Sequence, residues 1–159
     1  MRKWIALGIV IVASAIVVAV MLTRSREAPA TRTTDTVVED FRAVERTAIA
    51  AFNAALGQQR ANQIDEIELA LAIERDVLEP WRAMRARVTT APVPPERREL
   101  YEVMRRYIDE RVSAWQAYAD ALRAPSDTEA RPLYDVYHQK NAAAQDDARV
   151  LGGLFRRQL

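Results

Sequence analysis

The chain has 159 residues, with 23 Lys plus Arg against 22 Asp plus Glu, one His, four Gly and no Cys. That length suits one domain of ordinary size, and a 50% hydrophobic fraction is enough to fill its core. A net charge of +1 gives no general reason to bind nucleic acid, and the residue counts exclude disulfides, thiolate sites, Cys nucleophiles, two-imidazole centres and phosphate-cradling glycine loops.

After a basic flank at residues 1–3 comes an uncharged run, Trp4 to Leu22, whose only polar side chain is Ser14. As a helix it would span roughly 28 Å, close to the hydrocarbon thickness of a bilayer. We read it as a single transmembrane anchor, with Trp4, Leu7, Val12, Val18 and Leu22 facing lipid. Arg2 and Lys3 before it, and Arg24 and Arg26 after it, sit at headgroup depth. The competing reading is a cleaved signal peptide, for which Ala28-Pro29-Ala30 has the right spacing. The run is longer than the usual apolar region of such a peptide, and two arginines separate it from that site. The basic residues near its two ends are almost balanced, so orientation is only weakly specified. N-in, C-out is the expectation, a bacterial inner-membrane protein with a periplasmic domain.

Residues 23–35 mix Thr, Arg, Ser, Pro and Ala without an apolar period and read as a linker. The remainder, 36–157, reads as an all-α, antiparallel up-down four-helix bundle with helices near 36–57, 62–89, 95–123 and 127–156. The first has a capping box at Thr36 to Glu39 and an apolar stripe Val37, Phe41, Val44, Ala48, Phe52, Ala55, with Gly57 as its left-handed cap. The second stripe is Ile64, Ile67, Leu71, Leu78, Trp81, Met84, Val88. Pro80 should kink or break it, and Arg82, Arg85 and Arg87 suit the negative end of its dipole.

Ala91 to Pro95 is the clearest breaker. The third stripe is Leu100, Met104, Ile108, Val112, Trp115, Ala119, Leu122, with Tyr101, Tyr107 and Tyr118 flanking it. Glu102–Arg106 and Arg106–Glu110 are spaced as i,i+4 pairs on its solvent side. Ser126 to Glu129 is another capping box, and Pro132 should delay the regular helix that follows. The last stripe is Leu133, Tyr137, Ala144, Ala148, Leu151, Phe155. A single rod through Gly57, making an elongated coiled coil, is the alternative to the compact bundle.

An even number of antiparallel helices would return the C-terminus to the end near the membrane. There Leu154 and Phe155 would dip into the interface and Arg156 and Arg157 would meet lipid phosphate. The plainer alternative puts the two apolar residues in the bundle core. Glu74 falls in a gap of the second stripe, which makes it a candidate buried polar site; the alternative is a small rotation that lets it snorkel or pair with an arginine.

A bundle-core di-metal site would need a second Glu-x-x-His motif, and His138 after Asp135 is the only imidazole. Ser113 and Ser126 lack triad partners, and Trp81 and Trp115 read as packing. The expectation is therefore no enzyme, no cofactor and no metal. It is instead a membrane-anchored interaction or scaffold protein, bound to lipid through its N-terminal helix and to a protein partner or a second copy, with no nucleic acid. By helix count and membrane placement alone it resembles the input domains of bacterial chemoreceptors and sensor kinases. That resemblance implies the alternative, a small-molecule-sensing module that signals through a partner; ligand-dependent thermal shifts separate the two.

Overall fold

The computed structural model describes residues 32–157, and all of the described regular structure is helical. The anchor assigned to Trp4–Leu22 lies outside the described residues. Among those described, no helix is long and apolar enough to cross a membrane.

Four helices form a bundle. α1 is Arg32–Arg60. α2 is one rod of three pieces: α-helical Glu66–Ile73, a π-helical turn Glu74–Leu78, and α-helical Glu79–Thr90. A 3-10 turn, Pro95–Arg97, leads into α3, Arg98–Arg123, and α4 is Asp127–Arg157. Each helix runs antiparallel to the one before it. Asp40 early in α1 pairs with Arg87 late in α2, Arg85 and Glu74 of α2 pair with Asp109 and Arg123 of α3, and Arg106 and Glu110 of α3 pair with Asp147 and Lys140 of α4.

The helix boundaries correct several expectations. α1 starts at Arg32, so Thr36 and Glu39 lie within it and form no cap. It also runs past Gly57. Asn62, at φ 54°, takes the left-handed position, with Asn62 N–H donating to Gln59 O (3.0 Å) and Gln63 N–H to Gln58 O (2.9 Å). This is a Schellman motif with Asn where Gly is commoner. It turns the chain and excludes the continuous rod. α2 then opens on a capping box: Asp65 Oδ1 accepts from Glu68 N–H (2.8 Å), and Asp65 N–H donates to Glu68 Oε2 (2.9 Å). At α4 the Glu129 N–H donates to Ser126 Oγ (3.3 Å), but the Glu129 carboxylate accepts from the Ser126 hydroxyl (3.1 Å), not from the backbone. α4 is already regular at Asp127 and carries Pro132 inside it.

Gly57, Gly152 and Gly153 are helical, and a Cβ at any of them would meet nothing within 4 Å. Glycine there gives flexibility without relieving a contact. Changing all three to Ala should raise the unfolding free energy by roughly 0.5–1 kcal/mol per site, read as a higher urea midpoint. An unchanged or lower midpoint would show that one of these backbones needs to approach something closely.

α3 is the central helix. Leu100, Met104, Ile108, Trp115, Ala119 and Leu122 are buried as expected, and Tyr101, Tyr107 and Tyr118, expected at the flanks, are buried too. Small residues Ala114, Ala117 and Ala121 on α3, with Ala144 and Ala148 on α4, are also buried and give this helix pair little bulk to hold apart. Two aromatic groups fill the wider spaces. Phe41 of α1, Trp81 of α2 and Tyr107 of α3 meet edge-on with centroids 5.5–5.7 Å apart. Further along, Phe52 packs on Trp115 (4.6 Å) and Tyr118 (5.9 Å), and Tyr137 of α4 joins them 5.0 Å from Tyr118. Such edge-on pairs add about 0.5–1.5 kcal/mol each beyond the area they bury.

The second helix departs most from its expected register. Counting back from Trp81 and Leu78 at the α period places Glu74, Leu71, Ile67 and Ile64 on the core. In the structure Ile73, Ala70 and Leu69 are there, fully buried, while Ile67 and Leu71 are 48% and 53% exposed. The cause is the π turn. Pro80 has no N–H for the Asp76 carbonyl and its ring crowds that carbonyl. The turn before it widens, with Glu79 N–H reaching back five residues to Glu74 O. One extra residue rotates everything upstream by roughly 100°. The break expected at Pro80 is therefore a register shift within a continuous rod.

Candidate functional site

Charged side chains are almost never fully buried without partners. Among the described residues two are buried, Glu45 of α1 at 5% exposure and Arg111 of α3 at 8%. Glu45 lies one turn beyond Phe41, and Arg111 one turn beyond Tyr107, so both sit between the two aromatic groups along the bundle axis. The Tyr107 hydroxyl donates to Glu45 Oε1, and Arg111 Nε donates to the same hydroxyl oxygen (2.9 Å). Arg111 also donates from Nη1 to Asn141 Oδ1 of α4 (2.8 Å), and its Nη2 lies 3.9 Å from Glu45 Oε1. Its guanidinium carbon is 5.2 Å from the centroid of the Tyr107 ring.

The electrostatics of this cluster are self-contained. Burial opposes the Arg111 charge, but the Tyr107 oxygen and the Glu45 carboxylate outweigh it and hold the guanidinium above its ordinary pKa. Burial pushes the Tyr107 hydroxyl well up, and the neighbouring Glu45 adds to the rise while Arg111 works against it. Tyr107 thus stays a neutral donor. The cluster can hold α1, α3 and α4 in one axial register, since sliding any helix by one turn, about 5.4 Å, would separate its partners.

Of its two readings, Glu74 takes the second, a half-buried carboxylate paired with an arginine and not a buried polar site. The π turn carries it to the rim between α2 and α3, where its side chain is 35% exposed. Arg123 donates to it from both terminal nitrogens at 2.6 Å, and this bidentate hydrogen bond holds the Glu74 carboxyl below the usual carboxylate range.

Leu154 and Phe155 follow the plainer of their two readings. They are buried in the bundle, at 4% and 6% exposure, and cannot dip into a membrane from there. Arg42 of α1 lies over the Phe155 ring at 4.4 Å, with its own charge disfavoured by burial and by Arg46. Arg156 and Arg157 are exposed, and Arg157 lies 3.9 Å from Glu99.

Trp4, Leu7, Val12, Val18 and Leu22, with Arg2, Lys3, Arg24 and Arg26, lie outside the described residues. Trp81 and Trp115 pack in the core, and His138 is exposed beside Tyr137. Among the described residues no group of three or more His, Asp or Glu side chains is placed to hold a metal ion. The surface arginines do more than complement helix dipoles. Arg85 reaches Asp109 (2.6 Å), Arg87 reaches Asp40 (2.5 Å), and Arg82 donates to Gln116 (2.7 Å), all on neighbouring helices. Likewise Arg106 and Glu110, expected to pair within α3, pair with Asp147 (2.6 Å) and Lys140 (3.1 Å) of α4.

Comparison with protein-family models, with curated proteins and with solved structures found no match to the chain.

Proposed function

We propose that the chain is a non-enzymatic, membrane-tethered interaction protein of the bacterial envelope. Trp4–Leu22 holds it in the inner membrane, and the helical bundle works on the periplasmic side, where it binds or spaces another envelope protein. The observation that carries this reading is the 19-residue uncharged run that precedes a folded helical body in the sequence. Leu, Ile and Val each favour insertion at mid-membrane by about 0.3–0.6 kcal/mol, and the run contains no charge to oppose them. Further support comes from the polar cluster at the bundle centre, whose hydrogen bonds are spent on one another and suit a rigid spacer.

Tethering is tested by fractionation. The expected result is a full-length product that stays with the membrane through alkaline carbonate and is digested by protease added outside spheroplasts. A shortened, freely soluble product would overturn the anchor, and protection from external protease would overturn the orientation.

A further inference from the structure

The first third of α2, Glu66–Ile73, is apolar on two sides. Leu69, Ala70 and Ile73 are buried, while Ile67 and Leu71 stand about half exposed. Which side turns inward depends on a single residue, the one added by the π turn Glu74–Leu78. Closing that turn to an ordinary α turn would rotate Glu66–Ile73 by roughly 100° and advance it by about 1.5 Å along the axis. Ile67 and Leu71 would then face the core, Leu69 and Ile73 would leave it, and Ala70 would stay inside. Leu78, Trp81, Met84 and Val88, buried beyond the turn, would keep their places.

The exchange is even in apolar content. One Leu and one Ile go in, and one Leu and one Ile come out, so apolar burial does not separate the two registers. Two other features do. The α register returns the Pro80 ring to the Asp76 carbonyl, which it crowds and cannot hydrogen-bond. It also turns Glu74 toward the core and away from Arg123, whose two terminal nitrogens now donate to it at 2.6 Å. Both features favour the register seen.

We infer that Glu66–Ile73 is a two-register segment, held in its present register by Pro80 and by the Glu74–Arg123 bridge. It is a conformational device: the segment turns about its own axis between two packed positions while the rest of α2 stays fixed. One register presents Ile67 and Leu71 outward and the other presents Leu69, so a contact that prefers one face biases the turn. The inference goes beyond the interaction role and does not depend on it.

The chain has no Cys, so a single Cys substitution in the full chain reports exposure through its rate of maleimide labelling. Leu69→Cys should label at least about tenfold more slowly than Leu71→Cys. Adding Pro80→Ala removes one of the two restraints and should speed Leu69→Cys by at least about tenfold. Met84→Cys, buried beyond the turn, should stay slow in the same background. With Pro80→Ala and Glu74→Leu together the order should reverse, Leu69→Cys labelling fast and Leu71→Cys slowly. Each slow result is read against the reporter's own bias, because a Cys weakens the register that buries it. An unchanged Leu69→Cys rate in Pro80→Ala overturns the inference. So does a Met84→Cys rate that rises in step, since that is loosening of the bundle and not a turn of one segment. A folded double variant that keeps the native order overturns it as well, and if the double variant does not fold, the Pro80→Ala comparison decides alone.

Discussion

Replacing Arg111 by Met should lower the unfolding free energy of the bundle by about 3–5 kcal/mol, because it leaves a buried carboxylate without its countercharge. Glu45 would keep the Tyr107 hydroxyl as a donor but lose the guanidinium, and Asn141 Oδ1 would lose its donor as well. Met fills much of the same volume, so the loss is electrostatic and not a cavity. Glu45→Gln should cost less, since an amide oxygen still accepts from Tyr107. The double change Glu45→Leu with Arg111→Met should recover part of the loss, because it removes the uncompensated charge along with its partner. Urea unfolding followed by helical ellipticity measures all three. If Arg111→Met cost less than about 1 kcal/mol, the pair would be behaving as a solvated surface bridge, and the cluster would not be what holds three helices in register.

Why that cluster is hard to see beforehand is instructive. Glu45 and Arg111 occupy stripe positions: Glu45 follows Phe41 by four and precedes Ala48 by three, and Arg111 follows Tyr107 by four and precedes Trp115 by four. Each stripe can be drawn through an apolar neighbour instead, Val44 or Val112, and an apolar template chooses that neighbour. Those two valines are half-buried, and the charged residues beside them are buried. The legible signal is a pair of opposite charges, each at a stripe position beside an apolar neighbour, on helices that must face each other.

The four helices, their antiparallel order and most of the core of α1, α3 and α4 follow from periodicity and breakers. The N-terminal third of α2 does not. Its sequence, Glu66 to Ile73, is apolar at six of eight positions and fits two helical faces equally well. Only the backbone response to Pro80, one extra residue in a turn, decides between them. A proline within a stripe therefore leaves the register upstream of it open by one residue, and Glu74, the polar candidate read from that stripe, moved to the rim with the shift. The tail shows a different limit. Leu154 and Phe155 suit a membrane interface and a bundle core alike in composition, and their burial was settled by partners on another helix, Arg42 among them.

Alkali should unfold the bundle steeply, and the sign follows from its tyrosines. Burial is the largest cause raising Tyr107, Tyr118 and Tyr137 above the ordinary phenol value. For Tyr118 the neighbouring Tyr134, Tyr137 and Glu66 add to the rise. In the unfolded chain a tyrosine gives up its proton near pH 10. Above that pH the folded form binds protons that the unfolded form has released. Stability is therefore fully present below about pH 10 and falls as pH rises toward the folded-state values, by up to about 1.4 kcal/mol per pH unit for each tyrosine. Three together approach about 4 kcal/mol per unit, enough to exhaust a marginal domain within one or two units. The expected record is tyrosinate absorbance from these residues rising together with the loss of helical ellipticity, not before it. Tyr118→Phe should flatten the decline by roughly one tyrosine's share, about 1.4 kcal/mol per unit at most. Tyrosinate forming near pH 10 while the helices stay intact would mean that hydroxide reaches these rings, and neither the aromatic packing nor the closed polar cluster could then be the core of the folded protein.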